Sequence, residues 1–89
     1  MTSGIGLLIK RTEVASGTVS LTANERSSVR ISNVVPSGSQ VISITVNNAP
    51  NLDWVRTMAY MDGTSLVIRY HNEYSGAVSG TFGAVVYYI

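Results

Sequence analysis

Hydrophobic and polar positions alternate along most of this chain with a period of two. Val19, Leu21 and Ala23 alternate with Ser20 and Thr22. Val29 and Ile31 alternate with Arg30 and Ser32, and Ile42, Ile44 and Val46 with Ser43 and Thr45. A strand turns successive side chains to opposite faces, so each run predicts a half-buried strand with one hydroxylated face. No ten-residue segment carries a helical period of 3.6. The nearest, residues 52–61, is rich in β-branched and aromatic residues and ends at Asp62-Gly63, which favours strand.

Turn residues punctuate these runs at regular intervals. Gly17 precedes the Val19 strand and Asn24 follows it. Pro36, Ser37, Gly38 and Ser39 form a turn, with Pro presetting φ and Gly free to take φ > 0. Residues 47–51 make a longer polar loop. Asp62-Gly63 suits the central pair of a type I′ hairpin turn between strands at 54–61 and 65–70. Residues 71–76 form another loop, and the chain runs in strand from 81 to 89. Seven or eight strands at spacings of about 8–12 residues predict an all-β fold, a small antiparallel β-sandwich or jelly-roll-like barrel. One domain covers residues 14–89, and residues 1–13 are a lead-in or an extra strand.

Composition sharpens this picture. Of 89 residues, 27 are Val, Ile or Thr, and 12 Ser, 8 Thr and 6 Asn carry most of the polarity. Only 12% of residues are charged, against about 25% in an ordinary soluble domain. Such a surface points away from a cytosolic enzyme and towards an exposed or assembled structural domain. The absence of Cys excludes disulfides, zinc thiolates and a catalytic thiol. One His cannot make a His-rich metal site. A net charge of +1 gives no basic field for nucleic acid. No apolar run approaches 18 residues, so no membrane insertion is expected. The first residues lack the basic and apolar regions of a signal peptide.

Candidate chemistry is sparse. His71 beside Asn72, Glu73 and Tyr74 resembles a proton-transfer group, but a polar turn capping a hairpin explains it more simply. Asp53, Asp62 and Glu73 fall in different loops and do not read as a hydrolytic pair. No nucleophile elbow and no strand-to-helix phosphate loop occurs. Asn47, Asn48, Asn51 and Asp53 bring too few carboxylates for calcium. Gly80 and Gly83 read as marks of a bulge or close backbone approach. The chain is expected to have no cofactor, no metal and no catalytic centre.

The aromatic residues are more suggestive. One Trp, five Tyr and one Phe lie mostly in the second half of the chain. Saccharides stack their apolar ring faces on Trp and Tyr while amides and charged groups bond their hydroxyls. Two clusters fit: Asn51, Asp53 and Trp54 with Arg56, and Tyr70, His71, Asn72 and Tyr74 with Arg69 and Glu73. Strand parity puts Trp54, Arg56, Met58 and Tyr60 on one face. A lone Trp in a sandwich usually belongs to the core, yet Arg56 on the same face argues against burial. The final strand is apolar on both faces, with Phe82, Ala84, Val86 and Tyr88 on one side and Val85, Tyr87 and Ile89 on the other. Such a strand is covered on both sides or lies at a subunit contact.

VSLTA at 19–23, SVRIS at 28–32, VPSG at 35–38 leading into VISITV at 41–46, and the ending at 79–89 carry a family likeness. Together with the N-x-x-S-G loop at 72–76, they resemble the C-terminal tip domains of bacteriophage tail fibres and receptor-binding proteins. The resemblance implies a non-catalytic virion module, trimeric, on a fibre or baseplate, that binds a host-surface glycan or protein. The other readings are a purely structural phage protein, such as a capsid decoration or tail component, and an enzyme-associated carbohydrate-binding module.

Overall fold

The computed structural model describes residues 8–48, 52 and 54–89. Among the described residues the alternating runs become eight strands: β1 Lys10–Ala15, β2 Val19–Leu21, β3 Arg26–Ile31, β4 Val41–Asn48, β5 Val55–Asp62, β6 Ser65–Asn72, β7 Val78–Gly80 and β8 Phe82–Tyr88. All pairing is antiparallel. Two three-stranded sheets, ordered β1-β8-β4 and β3-β6-β5, enclose one core, and β2 and β7 form a two-stranded ladder. The fold is therefore all-β and sandwich-like, as the period of two predicts. No helix among the described residues is long and apolar enough to cross a membrane.

The core follows from strand parity. The inner face of β8 contributes Phe82, Ala84 and Val86, and that of β6 contributes Leu66, Ile68 and Tyr70. Tyr70 stacks on Phe82 with ring centroids 5.2 Å apart, joining the two sheets. Val34 and Val35 close the end where the β5–β6 hairpin lies, with the Val34 N–H donating to the Thr64 carbonyl at 2.8 Å. Residues 10–13, from the segment expected as a lead-in or an extra strand, join Val14 and Ala15 in β1 and pair with β8. Residues 1–7 lie outside the described residues.

Four local features differ from the alternating pattern. The expected terminal strand at 81–89 is β8, Phe82–Tyr88, but a short strand that the pattern does not predict, β7, precedes it with a break at Thr81. There the buried Ser16 hydroxyl accepts the Phe82 N–H at 2.8 Å in place of a backbone carbonyl. The β5–β6 reversal is one residue later than expected. Asp62 pairs with Ser65, so the central pair is Gly63-Thr64. Only Gly63 has positive φ, +63°, which matches a type II′ turn rather than type I′. Asp62 instead ends β5 and accepts a 2.8 Å bond from Arg30. The bulge lies between Val41 and Ser43, and it turns Ile42 outward, 50% exposed, while Val41 takes the inward parity. Gly83, expected at a bulge or close approach, sits in a continuous ladder where an added Cβ would come no nearer than 3.6 Å to its neighbours.

Candidate functional site

β5 has its inward residues fixed by β6. Val55 faces Asn72, Ala59 faces Ile68 and Met61 faces Leu66, all on the core side. The opposite parity, Trp54, Arg56, Met58 and Tyr60, is therefore the outer face. Trp54 and Met58 are each 65% exposed and Tyr60 is 44% exposed. The tryptophan is thus a surface group, and Arg56 beside it has the company that an unburied guanidinium requires.

The loop after β6 brings a second aromatic ring to Trp54. Asn72 is fully buried and acts as its clamp. Its amide nitrogen donates to the carbonyls of Thr22 at 2.9 Å and Gly76 at 3.1 Å, and its oxygen accepts the Tyr74 N–H at 3.0 Å. Asn supplies donors and an acceptor together, which fits the side chain to this task. The Glu73 N–H donates to the Trp54 carbonyl at 3.2 Å, tying the loop to the start of β5. Tyr74 then stacks on Trp54 with centroids 6.4 Å apart and planes inclined by 25°. Gly76 lies under the Tyr74 ring: a Cβ there would come within 3.0 Å of it.

Charge is concentrated beside this pair. Register places Arg26 and Arg56 on either side of His71, Ser28 and Met58 on either side of Arg69, and Arg30 and Tyr60 on either side of Val67. Four of the five arginines of the chain therefore share the outer face of one sheet. Two carboxylates answer them. Glu73 pairs with Arg56 at 2.9 Å and lies 3.8 Å from His71 Nδ1, and Asp62 pairs with Arg30 at 2.8 Å. Arg26 and Arg69 form no ion pair with a described carboxylate. The nearest acid in sequence, Glu25, is engaged by the Thr22 N–H at 2.8 Å. A depression of about 380 Å³ opens here, lined by Arg26, Ser28, Arg56, Met58, Arg69 and His71.

The candidates named from sequence divide into three groups. Trp54, His71 and Tyr74 come together at this end of the sheet, with His71 half-buried beside Glu73. Tyr70 and Asn72 face inward, Tyr70 into the core against Phe82 and Asn72 into its clamp, so they shape the site from behind. Asn51 and Asp53 lie outside the described residues. Arg26 is the group that sequence reading missed. It sits 45 positions before His71 and becomes its neighbour only through the β3–β6 register. Among the described residues no three of His, Asp and Glu gather as a metal site. No protein-family model, no curated protein and no solved structure matches the chain.

Proposed function

We propose that this chain is a non-catalytic binding module, the receptor-binding tip of a bacteriophage fibre or baseplate, and that it recognises a host-surface glycan. The exposed, stacked Trp54–Tyr74 pair carries the reading. Two aromatic rings open to solvent and fixed by a buried amide clamp make a platform for the apolar face of a sugar. The Arg56–Glu73 ion pair and His71 beside it supply donors and acceptors for hydroxyls. The virion setting rests on the resemblance of the strand and loop segments to tail-fibre tips.

Stacking one sugar on an aromatic face contributes on the order of 1–2 kcal/mol, so each ring is expected to matter by about tenfold in affinity. Trp54→Ala and Tyr74→Ala should each weaken binding to host cells or arrayed glycans by about that factor, with melting unchanged. Thr64→Ala, in the turn at the far end of β5 and β6, should bind as the parent does. Equal binding by the parent, Trp54→Ala and Tyr74→Ala would overturn the reading and leave a purely structural virion role in its place.

A further inference from the structure

We infer that the saccharide bound here is acidic, carrying a carboxylate or a sulfate ester that Arg26 and Arg69 hold in the depression next to the aromatic pair. This deepens the glycan-binding reading above and rests on it. Two guanidinium charges on this face have no carboxylate partner among the described residues. Arg30 has Asp62 and Arg56 has Glu73, whereas Arg26 and Arg69 have no described carboxylate. On the opposite sheet Arg11 is satisfied within the chain: hydrogen bonding to Tyr87 and the charge of Glu13 hold its guanidinium even more firmly protonated than usual. Arg26 and Arg69 are diagonal neighbours across the β3–β6 pair. Diagonal neighbours stand about 7–8 Å apart, close enough for both long side chains to reach one group between them. Like charges so placed repel each other, and an anion between them reverses the sign of that interaction.

The residue type narrows the anion. Every cation of this face is Arg, and the single Lys of the chain, Lys10, belongs to the other sheet. A guanidinium presents a planar fork that matches carboxylate and sulfate oxygens two at a time, which an ammonium does not. Ser28, opposite Arg69 and two positions from Arg26 on β3, adds a hydroxyl donor, and Met58 adds an apolar wall. Continuity with the platform follows from β5. Arg56 and Trp54 are two residues apart on its outer parity, so the depression and the aromatic pair adjoin. A long polyanion such as nucleic acid fits less well, because Asp62 and Glu73 stand on the same face and interrupt any basic track.

The test is titration of the parent with a matched set: one neutral oligosaccharide, its uronic-acid counterpart and its sulfated counterpart, at low and moderate salt. Acidic members should bind at least about tenfold more tightly, as charge-assisted bonds to two arginines imply, and the preference should shrink as salt rises. Which acidic member binds more tightly identifies the anion. Arg26→Gln and Arg69→Gln should each remove most of the preference without changing the melting curve, while Arg11→Gln should retain it. Equal binding of neutral and acidic members would overturn the acidic assignment and leave saccharide binding intact. Failure of every saccharide to bind would overturn the underlying reading instead. A single-stranded DNA oligonucleotide bound as tightly as the sulfated sugar would overturn the saccharide as the ligand class.

Discussion

At the scale of single residues, three positions decide local geometry, and each makes an expectation. Gly63 holds φ +63° with open space around an added Cβ, so any loss on substitution is backbone strain alone. A left-handed residue other than Gly costs about 1–2 kcal/mol, and a β-branched one costs more. Gly63→Val should therefore lower Tm by roughly 5–15 °C in calorimetry for a domain this small. Asn72→Ala would strand two carbonyls and one N–H, an expected loss of roughly 2–4 kcal/mol in denaturant titration. Gly76→Ala should act differently. Its Cβ would meet the Tyr74 ring at 3.0 Å, which displaces a side chain rather than backbone. Weakened glycan binding with little change in Tm is the expected pair of results. The sequence showed the need for a turn at 62–63, yet not its phase. Asp-Gly reads as a type I′ pair until the Asp62–Ser65 pairing and the Arg30 ion pair draw Asp62 into the strand. The aromatic half of the candidate site could be picked out because Trp54 and Tyr74 stand beside polar residues in the sequence. Asn72 reads from sequence as a ligand-binding candidate, whereas the structure buries it as a clamp whose bonds reach back to Thr22 and forward to Gly76.

At the scale of elements, parity along one strand was readable while pairing between strands was not. The outward set Trp54, Arg56, Met58 and Tyr60 follows from β5 alone, but which side faced the core required its register with β6. The Arg26–Arg69 relation needed a further pairing across more than forty residues. A bulge is just as opaque from sequence. Nothing in the alternation of Ile42, Ser43, Ile44 and Thr45 announces the extra residue that exposes Ile42. The doubly apolar character of β8 now has a structural account. Its inner residues fill the core, and its outer Val85 and Tyr87 are half-covered by lying between β1 and β4. As the central strand, β8 is indispensable. Removing residues 85–89 takes away the partners of Lys10–Glu13 and of the first part of β4. The truncated chain should lose its cooperative melting transition, and a sharp transition near the parental Tm would contradict this placement.

At the scale of the whole molecule, the two ends of the sandwich differ in kind. The end that carries Trp54, Tyr74 and the arginine depression is polar and aromatic. The other end of the β1-β8-β4 sheet gathers exposed aliphatic groups. Leu8 and Ile9 lead into Lys10, which pairs with Tyr88. Ile89 is bonded both ways to the Gln40 backbone, and Ile42 lies next to Val41. Exposed apolar patches on a domain with so small a core mark contact surfaces. We propose that the homotrimer implied by the resemblance uses this end to hold copies together, which would leave the opposite ends free for ligand. A shallow site built on one aromatic pair binds weakly, and linking several sites raises avidity by roughly 10²–10⁴ when geometry lets them engage together. Light scattering of the parent at micromolar concentration should give three times 9.5 kDa. Ile42→Asp combined with Ile89→Asp, two exposed positions outside the core, should yield a folded monomer. That variant should keep its affinity for a soluble monovalent saccharide and lose adhesion to a glycan-coated surface by the avidity factor. A parent of 9.5 kDa would refute the trimer. A variant that loses monovalent affinity as well would show that the two ends are coupled, contrary to the separation of their residues in the fold.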